Sequence, residues 1–322
     1  MPITLLIPDD YQRIATTLPF LQQDPTIRCH VLGDLAREPA AAEQLASAEA
    51  LILIRERTLI DAAFLRRTPN LRLISQTGKL ARNIDLAACT AAGVAVVEGV
   101  GSPVAPAELT WLLVMAARRK LVESVNALRA GHWQGPVGQS LEGQTLGILG
   151  YGKIGKRLAG YGRAFGMQVL IWGSERAQQE ARADALMVAK SRAHFFAECD
   201  VLSVHQRLVD ATAGNITAVD LAAMKPTALF VNTSRAELVA PGALLAALQQ
   251  GRPGFAALDV FDNEPIYDPA HPLLALPNVL CTPHLGYAEQ RSYELYFHSA
   301  FANVQRFLAG DCSMVLNPAA LG

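Results

Sequence analysis

No covalent framework is written into this chain. Its five cysteines, Cys29, Cys89, Cys199, Cys281 and Cys312, are scattered, odd in number and never spaced as CxxC. That pattern argues against a disulfide scaffold and against a zinc site, so no metal is expected. Long apolar runs are also missing. The Leu/Ala-rich stretch from Leu109 to Ala117 stops at Arg118, far short of the roughly 18 apolar residues of a membrane-spanning helix. The opening MPITLLIPDDYQ lacks a basic lead and reaches acidic residues too early for an export signal. Rows of Lys or Arg are absent and the formal net charge is only −1, which leaves nothing to neutralise a track of phosphates. Together these absences predict a cytoplasmic protein with neither nucleic acid nor membrane as partner.

What is present describes an ordinary packed protein: 51% hydrophobic, 18% charged, and no low-complexity tract among 322 residues. A chain of that length exceeds the size at which one core keeps growing, so two domains are expected. Apolar runs of strand length recur at Ile3 to Ile7, Ile27 to Val31, Leu51 to Ile54, Leu71 to Ser75 and Val94 to Val97, with helical patterns between them. Ile84, Leu86, Ala87 and Ala91 form one such pattern, closing at Gly93. The punctuation Gly101, Ser102, Pro103, Pro106 marks a boundary before a helix from about Ala107 to Arg119. New strands follow at Thr145 to Leu149, Gln168 to Trp172, Val201 to His205, Ala228 to Asn232, Phe255 to Val260 and Val279 to Thr282. The spacing of Tyr293, Tyr296, Ala300, Val304 and Phe307 predicts one long final helix over 289–309, able to return to the first domain. The fold class expected is therefore α/β, with two doubly wound parallel sheets. The second, spanning 103–289, is inserted into a first made of 1–102 and 290–322.

The second sheet opens with a strand followed by GxGxxG: Gly150, Tyr151, Gly152, Lys153, Ile154, Gly155. A helix stripe of Ile154, Leu158, Tyr161 and Phe165 follows. Gly150 suits the tight turn, Gly152 lets backbone amides approach a pyrophosphate, and Gly155 lets helix and strand pack closely. Lys153 and Ile154 lie on the same turn, so a dinucleotide is the expected cofactor. The next strand ends at Gly173, where an acidic residue would bind the ribose hydroxyls of NAD. With no carboxylate there, a ribose 2′-phosphate is not repelled, and Ser174 and Arg176 can donate to it. NADPH is favoured by a small margin over NADH, the alternative being that Glu175 binds a ribose hydroxyl.

Polar residues past the ends of later strands face the usual ligand crevice of such a fold. Arg235 follows Phe230 to Ser234, and its guanidinium can grip a carboxylate through a bidentate fork. Glu264 follows in DVFDNEP, and His284 follows Cys281, Thr282, Pro283. A carboxylate beside an imidazole stabilises the cation, so the pair can give and take a proton near neutral pH.

These stretches resemble the D-isomer-specific 2-hydroxyacid dehydrogenase family. The resemblance runs from about Leu71 to Gly286 through ISQTGKLARNIDLAACTAAGVAV, GQTLGILGYGKIGKRLA, MKPTALFVNTSRAELV, ALDVFDNEP and HPLLALPNVLCTPHLG. It implies a Rossmann-type NAD(P) domain inserted into a flavodoxin-like substrate domain, with the active site in the cleft between them. It also implies hydride exchange between nicotinamide and a small 2-keto/D-2-hydroxy acid, glyoxylate or hydroxypyruvate being typical. Arg235, Glu264 and His284 become the catalytic set, with Arg235 and His284 also contacting substrate. Gly78 and Lys79 join the loop that cradles the substrate carboxylate. His205 and Thr233 fall among the cofactor contacts, and Asp259 is placed to meet the nicotinamide carboxamide. A homodimer is implied as well.

Two departures stand out. Ala236 follows Arg235 where glycine is usual, and His205, Gln206, Arg207, Leu208 replaces the family's His-x-Pro-Leu. Neither removes a catalytic side chain. Formate dehydrogenases pair the histidine with glutamine, so Glu264 favours the 2-hydroxyacid branch. D-3-phosphoglycerate dehydrogenase stays open as an alternative, although the chain stops at Gly322 without a further regulatory domain. From another class, a dinucleotide-sensing, corepressor-like binding protein also stays open, with the lack of long charged flanks against it.

Overall fold

The structure, a computed structural model, describes residues 2–39 and 41–322. It divides into two units, Met1–Ser102 with Glu289–Gly322, and Pro103–Ala288.

In the first unit the strands β1 (Ile3–Ile7), β2 (Ile27–Val31), β3 (Ala50–Leu53), β4 (Leu73–Gln76) and β5 (Ala95–Glu98) are all parallel, in the order β2-β1-β3-β4-β5. That is the flavodoxin-like winding. Helices α1 (Ala41–Ser47), α2 (Ala62–Leu65) and α3 (Leu86–Ala91) fill the crossovers. Asp61 and Asp85 start α2 and α3 by accepting the third amide of each helix, from Phe64 and Ala88. β3 is buried along its whole length, the mark of a parallel strand covered on both faces. The long helix Gln290–Leu308 packs on this sheet, and its Ala300 carbonyl accepts the buried Ser75 hydroxyl at 2.9 Å. At the open edge of β5 the chain's last segment stands in for a strand. The Leu316 amide donates to the Val96 carbonyl, while the Asn317 side chain accepts from the Val96 amide and donates to the Val94 carbonyl. Backbone groups left unpaired at a sheet edge invite aggregation, and this strap satisfies them.

The second unit begins with α4 (Val104–Arg118) and α5 (Leu121–Arg129). Then come β6 (Thr145–Leu149), α6 (Lys153–Ala164), β7 (Gln168–Trp172), α7 (Glu175–Ala183), β8 (Met187–Val188), α8 (Arg192–Glu198) and β9 (Val201–Val204). α9 (Ala218–Ala223), β10 (Leu229–Asn232), α10 (Ala243–Gln249), β11 (Phe255–Leu258) and β12 (Val279–Cys281) complete it; the long helix of the first unit is α11. Its strands are parallel in the order β12-β11-β10-β9-β6-β7-β8, a Rossmann winding that reverses direction between β6 and β9. Side chains alternate between two apolar layers. Leu202, Phe230 and Leu258 join Phe195 and Phe196 of α8 on one face, and Leu146, Ile148, Leu229 and Val231 join α4 and α6 on the other. Burying a phenylalanine as completely as Phe195 or Phe230 contributes roughly 1.5–3 kcal/mol.

Two doubly wound parallel sheets were the expectation and are the finding. The apolar runs at β1, β2, β6 and β7 coincide with the strands, and the rest are displaced by a residue or two at their ends. The helix expected from Ala107 starts at Val104, because Pro106 lies in its first turn, where a missing amide costs no helical hydrogen bond. α5 and the two-residue β8 were not foreseen: α5 buries no residue, and β8 is too short for any periodicity.

Candidate active site

β6 runs straight into the glycine turn. Gly150 has φ +97°, and a Cβ there would lie 2.7 Å from the His205 carbonyl oxygen, so only glycine fits. Its amide donates to the Trp172 carbonyl at the end of β7. A Cβ on Gly155 would stand 2.5 Å from the Gly150 carbonyl oxygen, which shows how closely α6 sits on the turn. Gly152 is different: it precedes the helix in an extended conformation, no side chain caps it, and a Cβ there would meet nothing within 4 Å. The first helical bond joins the Lys156 amide to the Gly152 carbonyl. The amides ahead of it, at Lys153, Ile154 and Gly155, therefore face out of the helix start with its partial positive charge. This open, donor-rich end beside the sheet's switch point fits a pyrophosphate.

Around the expected ribose position, every candidate has a local partner. Ser174 caps α7 by accepting the Ala177 amide, leaving its own proton to donate. Arg176 lies on the surface with Nε 2.8 Å from Glu180 Oε1, and Glu180 also takes Lys156 Nζ at 3.1 Å. An exposed pair of this type is weak, so Arg176 can change partner. The Thr233 hydroxyl lies 2.7 Å from that of Thr110. Since Thr110 donates to the Pro106 carbonyl, Thr233 is the donor between them. His205 is half-buried, with Nε2 2.8 Å from the Ser203 hydroxyl, and burial of the ring pushes its pKa down to about 3, so the imidazole is neutral.

The acid–base candidates follow β10, β11 and β12, whose C-terminal ends are adjacent in the sheet. His284 Nδ1 is 2.5 Å from Glu264 Oε2, and Glu264 Oε1 accepts the Phe261 amide at 2.8 Å. A carboxylate only accepts, so Nδ1 carries a proton and Nε2 is left to exchange one. His284 sits in the left-handed region, φ +52°, and the Tyr287 ring meets its imidazole edge-on, centroids 5.4 Å apart. Arg235 lies in the loop after β10, its Nη1 2.5 Å from the Ser234 carbonyl. The buried Asn232 clamps that loop: Oδ1 accepts the Ser234 amide and Nδ2 donates to the Arg235 carbonyl.

Asp259 is wholly buried, and its carboxylate accepts from the Thr282 hydroxyl and from the Leu285 and Gly286 amides. Burial raises its pKa, opposed by these hydrogen bonds and by the nearby His284. In the first unit, Gly78 after β4 has φ +86°, and a Cβ there would collide with the Arg55 guanidinium. Lys79 Nζ, on the surface, pairs with Glu98 at 2.6 Å. Sequence reasoning missed Asn232, Thr282 and Gly286. Only Asn232 carried a signal, as a polar residue closing an apolar strand.

The model of the family "D-isomer specific 2-hydroxyacid dehydrogenase, NAD binding domain" matches residues 111–286. The chain is 38% identical over 261 residues to a glyoxylate reductase of Aeropyrum pernix, covering 78% of this chain and 77% of that protein. It is 31% identical over 285 residues to an (S)-sulfolactate dehydrogenase of Chromohalobacter salexigens, covering 87% and 92% respectively. Among solved structures, a phosphoglycerate oxidoreductase from Vibrio cholerae O395 superposes with a TM-score of 0.91 at 50% identity, over 96% of this chain and 99% of that one.

Proposed function

The chain belongs to the D-isomer-specific 2-hydroxyacid dehydrogenase family, nicotinamide-dependent oxidoreductases of 2-hydroxy acids, and from that premise we propose that it reduces a small 2-keto acid of the glyoxylate or hydroxypyruvate kind. The observation that carries this reading is the Glu264–His284 pair, a polarised imidazole after β12 held by a carboxylate after β11, the strand next to the one that leads into the Arg235 loop.

When bound, the dinucleotide supplies the hydride in reduction and takes it in oxidation. His284 manages the proton. With Nδ1–H given to Glu264, its Nε2 protonates the oxygen on which negative charge develops, and in the reverse direction neutral Nε2 accepts the hydroxyl proton. Arg235 grips the substrate carboxylate and polarises the reacting carbonyl. The Gly78 and Lys79 amides are assigned to substrate binding in the first unit. For the dinucleotide, the Lys153, Ile154 and Gly155 amides take the pyrophosphate, with His205 and Thr233 alongside. Ser174 and Arg176 take a ribose 2′-phosphate, which makes NADPH the preferred coenzyme.

The same reading makes the working molecule a cytoplasmic homodimer. Supporting the pairing is an apolar face on the second unit, where Leu121, Val122, Val125 and Leu128 are exposed on α5 and the neighbouring Trp133 and Val137 are 85% and 94% exposed. Exposed apolar patches of that extent mark interaction surfaces.

Loss of absorbance at the reduced-nicotinamide band tests the proposal, with NADH and NADPH each offered glyoxylate, hydroxypyruvate, pyruvate and 3-phosphohydroxypyruvate. Oxidation driven by glyoxylate or hydroxypyruvate supports the reading. A clear preference for the phosphorylated acid moves the assignment to phosphoglycerate, the second reading, favoured by the 50% identity to the Vibrio cholerae protein. Dinucleotide binding without turnover on any acid refutes the proposal.

A further inference from the structure

The turn after β4 leaves two consecutive backbone donors unpaired. Neither the Gly78 nor the Lys79 amide meets an acceptor among the described residues, although Gly78 is buried. Backbone amides of that kind are rare, and two in a row suit the oxygens of an anion. The next amide along, that of Leu80, is engaged: it donates to Glu98 Oε2 at 2.9 Å, while Glu98 Oε1 takes Lys79 Nζ at 2.6 Å. One carboxylate at the end of β5 thus spans two neighbouring residues of the turn.

The base of the turn is held by backbone. Gly99 donates its amide to the Gln76 carbonyl at 2.9 Å and to the Gly78 carbonyl at 2.8 Å. A Cβ on Gly99 would stand 3.0 Å from the Gln76 oxygen and from the Gly78 nitrogen, so glycine there lets the two segments close on each other. From the side of β3, the Arg55 amide donates to the Thr77 hydroxyl at 2.8 Å, and Gln76 Nε2 donates to the Arg55 carbonyl at 2.7 Å. Glu98 is itself anchored, because Asn303 of α11 donates Nδ2 to its carbonyl at 3.2 Å. At the tip of the turn, the Leu80 amide and the Lys79 ammonium both end on the Glu98 side chain.

We infer that Glu98 is a positioning residue for the substrate: its carboxylate draws the Lys79–Leu80 tip onto the end of β5 and so keeps the Gly78 and Lys79 amides in one orientation, open to an oxygen of the keto acid. The inference rests on the substrate-binding role proposed for those two amides and adds a side chain that acts through them. The Lys79 ammonium is mostly exposed, so its pairing contributes little. The charge-assisted bond from the Leu80 amide is the stronger hold.

Glu98→Ala and Glu98→Gln test it together. Alanine removes both acceptors, whereas glutamine keeps a carbonyl oxygen for the Leu80 amide and gives up only the ion pair. KM for the keto acid should rise about tenfold in Glu98→Ala with kcat within about threefold, the pattern of a lost ground-state hold. Glu98→Gln should stay within about threefold of wild type in both. The Kd for NADH and NADPH should stay within about twofold in either variant, since the residues assigned to the dinucleotide all belong to the second unit. If Glu98→Ala fails to fold, Glu98→Asp decides the matter: it is one methylene too short for the Leu80 amide and should raise KM in the same way. An unchanged KM, a fall in kcat at constant KM, or a Glu98→Gln as impaired as the alanine variant would each overturn the inference.

Two further readouts are independent of turnover. Hydrogen exchange followed by mass spectrometry on peptides covering residues 77–84 should show the Leu80 amide exchanging at least about tenfold faster in Glu98→Ala and at the wild-type rate in Glu98→Gln. Oxalate, an unreactive dicarboxylate, titrated calorimetrically into the NADH-loaded protein should bind Glu98→Ala about tenfold more weakly than wild type. Equal exchange or equal oxalate affinity refutes the positioning role, whereas a wild type that reduces no keto acid refutes only the proposed function.

Discussion

Gly152 and Gly155 stand three residues apart in one motif, yet alanine should act on different properties at each. At Gly155 the added Cβ would lie 2.5 Å from the Gly150 carbonyl oxygen and 3.2 Å from Ile148 Cγ2. The closer atom is backbone and cannot rotate away. Helix propensity favours alanine by about 1 kcal/mol, and overpacking a tight contact costs about 1–3 kcal/mol. The backbone collision puts the cost at the upper end, so Gly155→Ala should lose about 1–2 kcal/mol, or roughly 2–8 °C in Tm for a unit of this size. At Gly152 the Cβ meets nothing within 4 Å. Gly152→Ala should therefore lose less than about 1 kcal/mol, the cost of a poorer residue at a helix start. What it places in the open space is a methyl group on the face where the amides of α6 await a pyrophosphate, so dinucleotide Kd should rise at least about tenfold. Thermal melts followed by circular dichroism, with nicotinamide fluorescence titrations on the same samples, separate the two effects. Wild-type affinity in Gly152→Ala, or an unshifted melt in Gly155→Ala, would refute the reasoning.

For the proton carrier, His284→Ala should cut kcat by about 100-fold or more with dinucleotide Kd unchanged, whereas Arg235→Ala should raise KM for the keto acid as well; steady-state kinetics distinguish them. Arg176→Ala should weaken NADPH more than NADH in paired titrations, and equal effects would remove Arg176 from the phosphate site. Asp220 accepts from Arg192 Nε and Nη2, at 2.8 and 2.9 Å, and caps α9 with Thr217. Burial raises its pKa, but Arg192 and Thr217 outweigh it and the net direction is down. Its contribution is thus present above the unfolded aspartate pKa of about 3.9 and lost as pH falls through the lower folded value. Asp220→Asn should cost roughly 1–3 kcal/mol at pH 7 by urea denaturation, with the gap to wild type closing below about pH 4.

Much of this molecule is legible along the chain because its signals are local. Ile3–Ile7 and Thr145–Leu149 read as strands since a parallel strand covered on both faces needs an unbroken apolar run. The glycine turn reads as a dinucleotide site because the spacing of Gly150, Gly152 and Gly155 between a strand and a helix is local, although the close contact that requires glycine at 150 is with the distant His205 carbonyl. Arg235, Glu264 and His284 were visible as polar residues after such strands. α5 was not, since an exposed helix leaves only a weak trace in a pattern read for cores.

Composition and order of residues alone thus determined two wound parallel sheets and a strand–glycine–helix turn, consequences of periodicity and short-range sterics, while Arg235, Glu264 and His284 were singled out by their places after strands and by the family resemblance. Tertiary structure decided what depends on residues distant in the chain. It set His284 Nδ1 2.5 Å from a carboxylate twenty positions earlier, brought the Gly150 amide onto the Trp172 carbonyl, and buried Asp259 beneath a turn that begins twenty-three residues later. Hydrogen bonds of that kind follow from which strand ends lie side by side, and the order β12-β11-β10 exists only once the sheet is wound.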